Sequence, residues 1–180
     1  MKYLKGCFIA LILFVVSLMI VYFLYKNSVV NTLESYSNNV KHNWNKYVEN
    51  LKTRNAELSQ QSFKNDSLKY YWNKAKYISL SACSEELEFN EYKINQFAMS
   101  DSLDSRVDDE INSSLDNYNQ TVRFYHEYRG IFPNFLIARK THFPKFFKFF
   151  DYKYGVDNEN AMIRKKKRKD WVKNGGSLPQ

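Results

Sequence analysis

The chain opens on an unbroken apolar run, GCFIALILFVVSLMIVYFLY over 6–25, and then turns polar, with apolar residues three and four apart. The run carries no charge and is flanked by Lys2, Lys5 and Lys26. About 20 apolar residues in helical form cross a bilayer core. Residues 6–25 are therefore predicted to be a transmembrane helix behind a short flank, 1–5. Tyr22, Phe23 and Tyr25 close the run with aromatic rings of the kind that sit at a membrane interface. A cleaved signal peptide would have a shorter apolar region and a small-residue exit, whereas this run passes straight into YFLYK.

Past the span, Leu33, Tyr36, Val40, Trp44, Tyr47, Leu51 and Leu58 keep the helical period. No Pro or Gly intervenes after Tyr25, so the membrane helix is expected to run on into this one. Residues 62–67 break the pattern and offer Asp66 or Ser67 as an N-cap. A second stripe follows through Leu68, Tyr71, Ala75, Ile78 and Ala82, resuming at Leu87, Ile94 and Phe97, with 81–84 as its weak point. Asp101 or Ser102 then caps a third helix, whose seam of Ile111, Leu115, Tyr118, Val122 and Tyr125 steps like a coiled-coil heptad. Arg129, a left-handed Gly130 and the apolar Ile131 write its stop, and Pro133 keeps Phe132 out of helix. The expected fold class is all-α: an N-terminal transmembrane helix followed by an elongated antiparallel helical bundle of three to four long helices, over 27–150.

Composition supports helices. Glycine (5) and proline (3) are too scarce for an all-β chain, which needs a turn signal every 8–12 residues or so. Mean hydropathy is −0.58 although 44% of residues are hydrophobic, so the apolar residues are segregated. Cys7 and Cys83 make no disulfide framework, and His42, His126 and His142 are scattered. No metal-binding, phosphate-loop or nucleophile-elbow pattern is present, so the sequence assigns no catalytic, cofactor-binding or metal-ligating residue and implies no cofactor. An enzyme would need a pocket that gathers His42, Glu49 or Arg54.

Tyr118-Asn119-x-Thr121-Val122-x-x-Tyr125, then Phe132-Pro133-Asn134-Phe135-Leu136-Ile137-Ala138 and Phe143, resemble the LemA family of bacterial membrane-anchored proteins. A second match, Val40-x-x-x-Trp44 with Leu51, Arg54 and Leu58, resembles the first soluble helix of that family. His126, Phe135 and His142 depart from the pattern. The resemblance covers the N-terminal span, the first soluble helix and 118–150. It implies a membrane helix and a long helical bundle in the bacterial cytoplasmic membrane, and it implies no reaction, because the family's molecular function is not established.

The chain carries 27 basic and 19 acidic residues, a formal charge of +8, and part of the excess is the run Arg164-Lys165-Lys166-Lys167-Arg168-Lys169. A block of like charge reads first as a solvated, disordered end, here 151–180. Its functional reading is contact with anionic lipid headgroups, or with nucleic acid if the domain lies in the cytoplasm. Ahead of it, Phe132, Leu136, Ile137 and Phe143 are expected to fold back over the bundle. The alternative sends Phe146, Phe147, Phe149 and Phe150, with Lys145 and Lys148, into a membrane interface. Lys2 and Lys5 outweigh Lys26 and favour a cytoplasmic N-terminus. The expected function is a non-enzymatic, single-pass membrane scaffold or interaction protein with a protein partner that the sequence does not name. The alternative is an envelope factor acting through its basic and aromatic C-terminal segment.

Overall fold

The structure, a computed structural model, describes the backbone of 2–103 and 107–174 and the side chains of 8–103 and 107–171. It contains α1 (Lys2–Ser59), α2 (Asp66–Ala75), α3 (Glu85–Ser100), α4 (Asp108–Gly130), α5 (Asn134–Lys140) and α6 (Glu159–Asn174). No strand occurs among the described residues. α1 runs without a break from the apolar segment into the polar chain, as the missing Pro and Gly require. Among the described residues it is the one helix long and apolar enough to cross a membrane. Its side chains from Phe8 to Tyr25 are exposed, and the first buried one is Val29.

The chain divides into two compact units, Met1–Asn39 with Arg123–Phe146, and Val40–Val122 with Phe147–Gln180; α1 and α4 pass through both. In the first unit, Val29 and Leu33 of α1, Tyr125 of α4 and Ile137 and Ala138 of α5 are buried. Tyr36 and Tyr128 meet there with ring centroids 5.5 Å apart. In the second unit the core takes Val40, Trp44, Tyr47, Leu51 and Leu58 from α1, and Ile111, Leu115, Tyr118 and Val122 from α4. Leu68, Leu87 and Ile94 join from α2 and α3, which pack on each other. Both predicted stripes, on the first soluble helix and on the third, are thus buried faces.

Several local expectations are corrected. The second stripe does split into two helices across its weak point at 81–84, with Ser84 capping α3 by accepting from the Leu87 amide at 3.1 Å, but the break begins earlier than expected, because α2 stops at Ala75. The chain between them is held open because Trp44 Nε1 donates to the Leu80 carbonyl at 2.9 Å and Ser79 pairs with Ser81. The cap of α2 is Asn65, not Asp66 or Ser67, since its side chain accepts from the Ser67 amide. Asp101 caps no third helix. It ends α3, and its carboxylate accepts from the Lys64 and Asn65 amides at 3.1 and 2.9 Å. α4 closes at Gly130 as expected, but Gly130 is not left-handed, because the chain coils again at once into α5 and Phe135 N reaches the Ile131 carbonyl.

The return segment is corrected too. α5 turns Asn134, Ile137 and Ala138 inward at helical spacing, so Phe132 (74% exposed) and Leu136 face outward. Phe143 is half-buried. Among the later aromatics Phe150 is core, Phe147 and Phe149 are half-buried and Phe146 is exposed, so the four do not form one exposed surface. The basic tail is also not a disordered end where it is described: Glu159–Asn174 is helical, and Phe150, Tyr152 and Tyr154 ahead of it are buried. Residues 175–180 lie outside the described residues.

Candidate functional site

In the second unit, residues 148–156 form a non-helical strap whose alternate side chains, Phe150, Tyr152 and Tyr154, all turn inward. A buried extended chain must find partners for its amides and carbonyls. Here side chains of two helices supply them. Asn119 takes both backbone groups of Phe150, donating to its carbonyl at 2.7 Å and accepting from its amide at 3.1 Å. Asn112, two turns away on α4, does the same for Tyr154 at 3.1 and 2.8 Å. On α3, Glu88 accepts from the Asp151 amide, and Asn95 accepts from Gly155 N and donates to the Val156 carbonyl. Seven helical residues rise about 10.5 Å and four extended residues about 13 Å. That near match lets side chains seven apart on each helix meet backbone groups four apart on the strap.

The strap delivers its tyrosines to a buried ion pair. Arg54 (2% exposed) places Nη2 2.7 Å from Oε2 of Glu91 (1% exposed). Asn55 Oδ1 accepts from Arg54 Nη2 at 2.7 Å and Nε at 3.2 Å, and the guanidinium lies 4.8 Å from the centre of the Tyr154 ring. Tyr154 OH donates to Glu91 at 3.2 Å. Its proton is thereby assigned, so the 2.8 Å contact with Tyr47 has Tyr47 as donor, and Tyr152 donates to it as well at 2.6 Å. The Tyr154 oxygen accepts two hydrogen bonds and donates one, its full capacity. Burial lifts the tyrosine hydroxyls far above their ordinary range, with the Glu91 charge adding to it. Burial disfavours the Arg54 charge, but Glu91 and the tyrosine oxygens more than offset this and hold it protonated. The cluster is neutral tyrosines around one buried ion pair.

A cavity of about 220 Å³ lies beside the pair, lined by Arg54, Ile94, Asn95, Met99, Asp108 and Tyr154 among others. It gathers Arg54 but neither His42 nor Glu49, both of which are exposed. Among the described residues no group of three or more metal-ligating side chains converges.

α6 has no apolar stripe, and ion pairs hold it. Lys165 Nζ lies 2.6 Å from Oε2 of buried Glu88 and 3.2 Å from Asp151. Lys169 pairs with Glu85 at 2.7 Å, and Arg168 with Asp151 at 4.0 Å. Burial weakens the Lys165 ammonium, but the Glu88 hydrogen bond and charge outweigh that and raise its pKa. Three of the six cations expected to meet an anionic surface therefore face acids of the same chain. Arg164, Lys166 and Lys167 are exposed and make no ion pair among the described residues.

The residues that carry the LemA resemblance have distinct places. Val40, Leu51, Leu58 and Val122 are core, Trp44 holds the open chain after α2, and Arg54 is the buried cation. Tyr118 is buried and donates to the Lys148 carbonyl at 2.8 Å, Asn119 holds the strap, and Tyr125 donates to the Pro144 carbonyl. Pro133 precedes α5, Ile137 and Ala138 are buried, and Phe132 and Leu136 are not.

No family model, curated protein or solved structure matches the chain. The resemblance therefore rests on the residues quoted for it. Sequence reading missed Glu91, Tyr152, Tyr154, Asn112 and Asn95. The available signal was the alternation of Phe150, Tyr152 and Tyr154, a period of two that a helix does not produce.

Proposed function

We propose that this is a LemA-like, single-pass membrane protein that presents a helical bundle at the bilayer surface and acts by binding a protein partner, without catalysis. The observation that carries this reading is α1, one helix that is apolar and exposed over its first part and then supplies the central core side chains of the polar domain. The bundle reading is supported within each unit by its own contacts. Trp44 meets Tyr118 and Asn50 meets Glu110 in one; Tyr25 meets Asn134 and Tyr36 meets Tyr128 in the other. In both, numbers rise along α1 as they fall on the opposing chain, the sense of an antiparallel pair. The non-enzymatic reading is supported by the Tyr154 hydroxyl, whose hydrogen-bonding capacity is filled by Glu91, Tyr47 and Tyr152.

The other reading, a lipid- or nucleic-acid-binding C-terminal segment, is weakened by the pairing of Lys165, Arg168 and Lys169 with Glu88, Asp151 and Glu85. Two measurements test the proposal. Alkaline carbonate should leave the protein in the pellet; recovery in the supernatant overturns the anchor. Crosslinking in intact membranes should then capture one protein partner reproducibly, and a chain crosslinked only to lipid overturns the interaction reading.

A further inference from the structure

The first unit holds a surface that the anchor reading does not use. Tyr25 is the last residue of the apolar run, and its hydroxyl donates to Asn134 Oδ1 at 2.7 Å. Asn134 is buried, and its own amide donates to the Tyr128 carbonyl at 3.0 Å. The start of α5 is therefore pinned to α1 at the level where the lipid-facing part ends and the buried part begins. At that level the chain exposes four large apolar side chains: Ile131, Phe132, Phe135 and Leu136. Phe132 and Phe135 lie together, their ring centroids 6.2 Å apart.

The outward face of α5 changes character along its length. Phe135 and Leu136 are followed one turn later by Arg139 and Lys140. Arg139 enters a cleft of about 600 Å³ with Arg129, Lys145, Phe135 and Phe143. Three cations and two rings line it, with no carboxylate among them. The Nε of Arg129 is buried without a hydrogen-bond partner, so part of the donor capacity of that guanidinium is unspent. Apolar side chains at one depth with cations just beyond them match the bilayer profile of hydrocarbon, then phosphate. Guanidinium groups are the side chains best shaped to take phosphate oxygens.

We propose that the α4–α5 turn is a lipid-interface collar: Ile131, Phe132, Phe135 and Leu136 enter the acyl edge beside the span, and Arg129, Arg139 and Lys145 hold the phosphate of an anionic phospholipid. The occupant is the bilayer, because the turn is tied to the residue at which the apolar run ends. This rests on the anchor reading.

The test uses the full chain in nanodiscs of phosphatidylcholine and phosphatidylglycerol. A nitroxide is attached at Phe132→Cys in a background lacking Cys7 and Cys83, with Tyr77→Cys, 89% exposed, as the aqueous reference. The label at 132 should be reached by oxygen and shielded from a water-soluble nickel complex, and the label at 77 the reverse. Native mass spectrometry of the same particles should show retained phosphatidylglycerol. About fivefold in affinity is expected per basic residue, so Arg139→Gln with Lys145→Gln should cut its retention roughly 25-fold. These two side chains are exposed, so the pair leaves the fold intact. Three outcomes overturn the collar: a nickel-accessible label at 132, equal retention of both lipids, or loss of phosphatidylglycerol to millimolar inorganic phosphate. Protein that carbonate releases overturns the anchor instead, so the two failures are distinguishable.

Discussion

Removing one half of the Arg54–Glu91 pair should damage the protein far more than removing both. Each side chain is almost fully buried and they meet at 2.7 Å. Arg54→Met leaves the Glu91 carboxylate with Tyr154 OH as its described hydrogen-bond donor, at 3.2 Å. An uncompensated buried charge of this kind costs about 3–5 kcal/mol, a large part of the 5–15 kcal/mol or so that holds a domain together. At roughly 2–4 °C per kcal/mol for a protein of this size, the melting temperature should fall by about 6–20 °C. Adding Glu91→Gln removes the stranded charge and keeps an oxygen for Tyr154 OH, so the double variant should recover most of the loss. Leucine at 91 should recover less, because the Tyr154 proton would then have no acceptor, at about 1–3 kcal/mol. The tryptophan band of the near-ultraviolet circular dichroism of the full chain in detergent reads the packing of Trp44 against Tyr47 and Phe150, and the apolar run 6–25 holds no tryptophan to add to it. An Arg54→Met variant that melts with the wild type, or a double variant no better than the single, would refute the reasoning.

Phe150→Ala should cost roughly 3–5 kcal/mol, as deletion of a buried ring does, whereas Phe132→Ala should stay within about 0.5 kcal/mol; denaturant unfolding compares them, and equal effects would contradict the burial described. Lys165→Gln should release α6 from α3, seen as loss of hydrogen-exchange protection over 159–174 with α3 unchanged; retained protection would mean that charge does not hold the helix. Burial, with the Arg129 charge added, lowers the His126 pKa below its ordinary value. Its neutral form is the one the fold prefers, so stability is full above about pH 6.5, falls as pH drops toward the lowered value and is flat below it. His126→Gln should remove that slope from a series of melting temperatures, and an unchanged slope would assign it elsewhere.

The helical stripes were legible because a buried face repeats every three or four residues, and Leu33, Tyr47, Leu115 and Val122 obey that rule. The caps were less legible, because Asn65, Asp66 and Ser67 compete chemically and a local bond chooses among them. The strap was hidden by its own composition. Phe150, Tyr152 and Tyr154 sit between lysines and ahead of six cations, which read as a solvated end. What overrides that reading lies far away in sequence, in Asn112, Asn119, Glu88 and Asn95. An asparagine on a helix carries no sign that its amide will hold a distant backbone. Glu91 was equally silent, since one acid among several on α3 looks like any exposed charge until Arg54 is placed beside it.

The strap also imposes an order on biosynthesis. α1, with Arg54, leaves the ribosome first. α3 then brings Glu91, and α4 brings Asn112 and Asn119. The segment that occupies their amides, and that supplies two of the three tyrosines around the ion pair, is translated after all of them. Until the strap emerges, Asn112, Asn119, Glu88 and Asn95 lack the backbone groups they hold, and the central charges lack Tyr154. The core of the second unit is therefore completed by its last-made part, and a chain stalled or cut before Tyr152 would leave Arg54 and Glu91 without the hydroxyls that surround them.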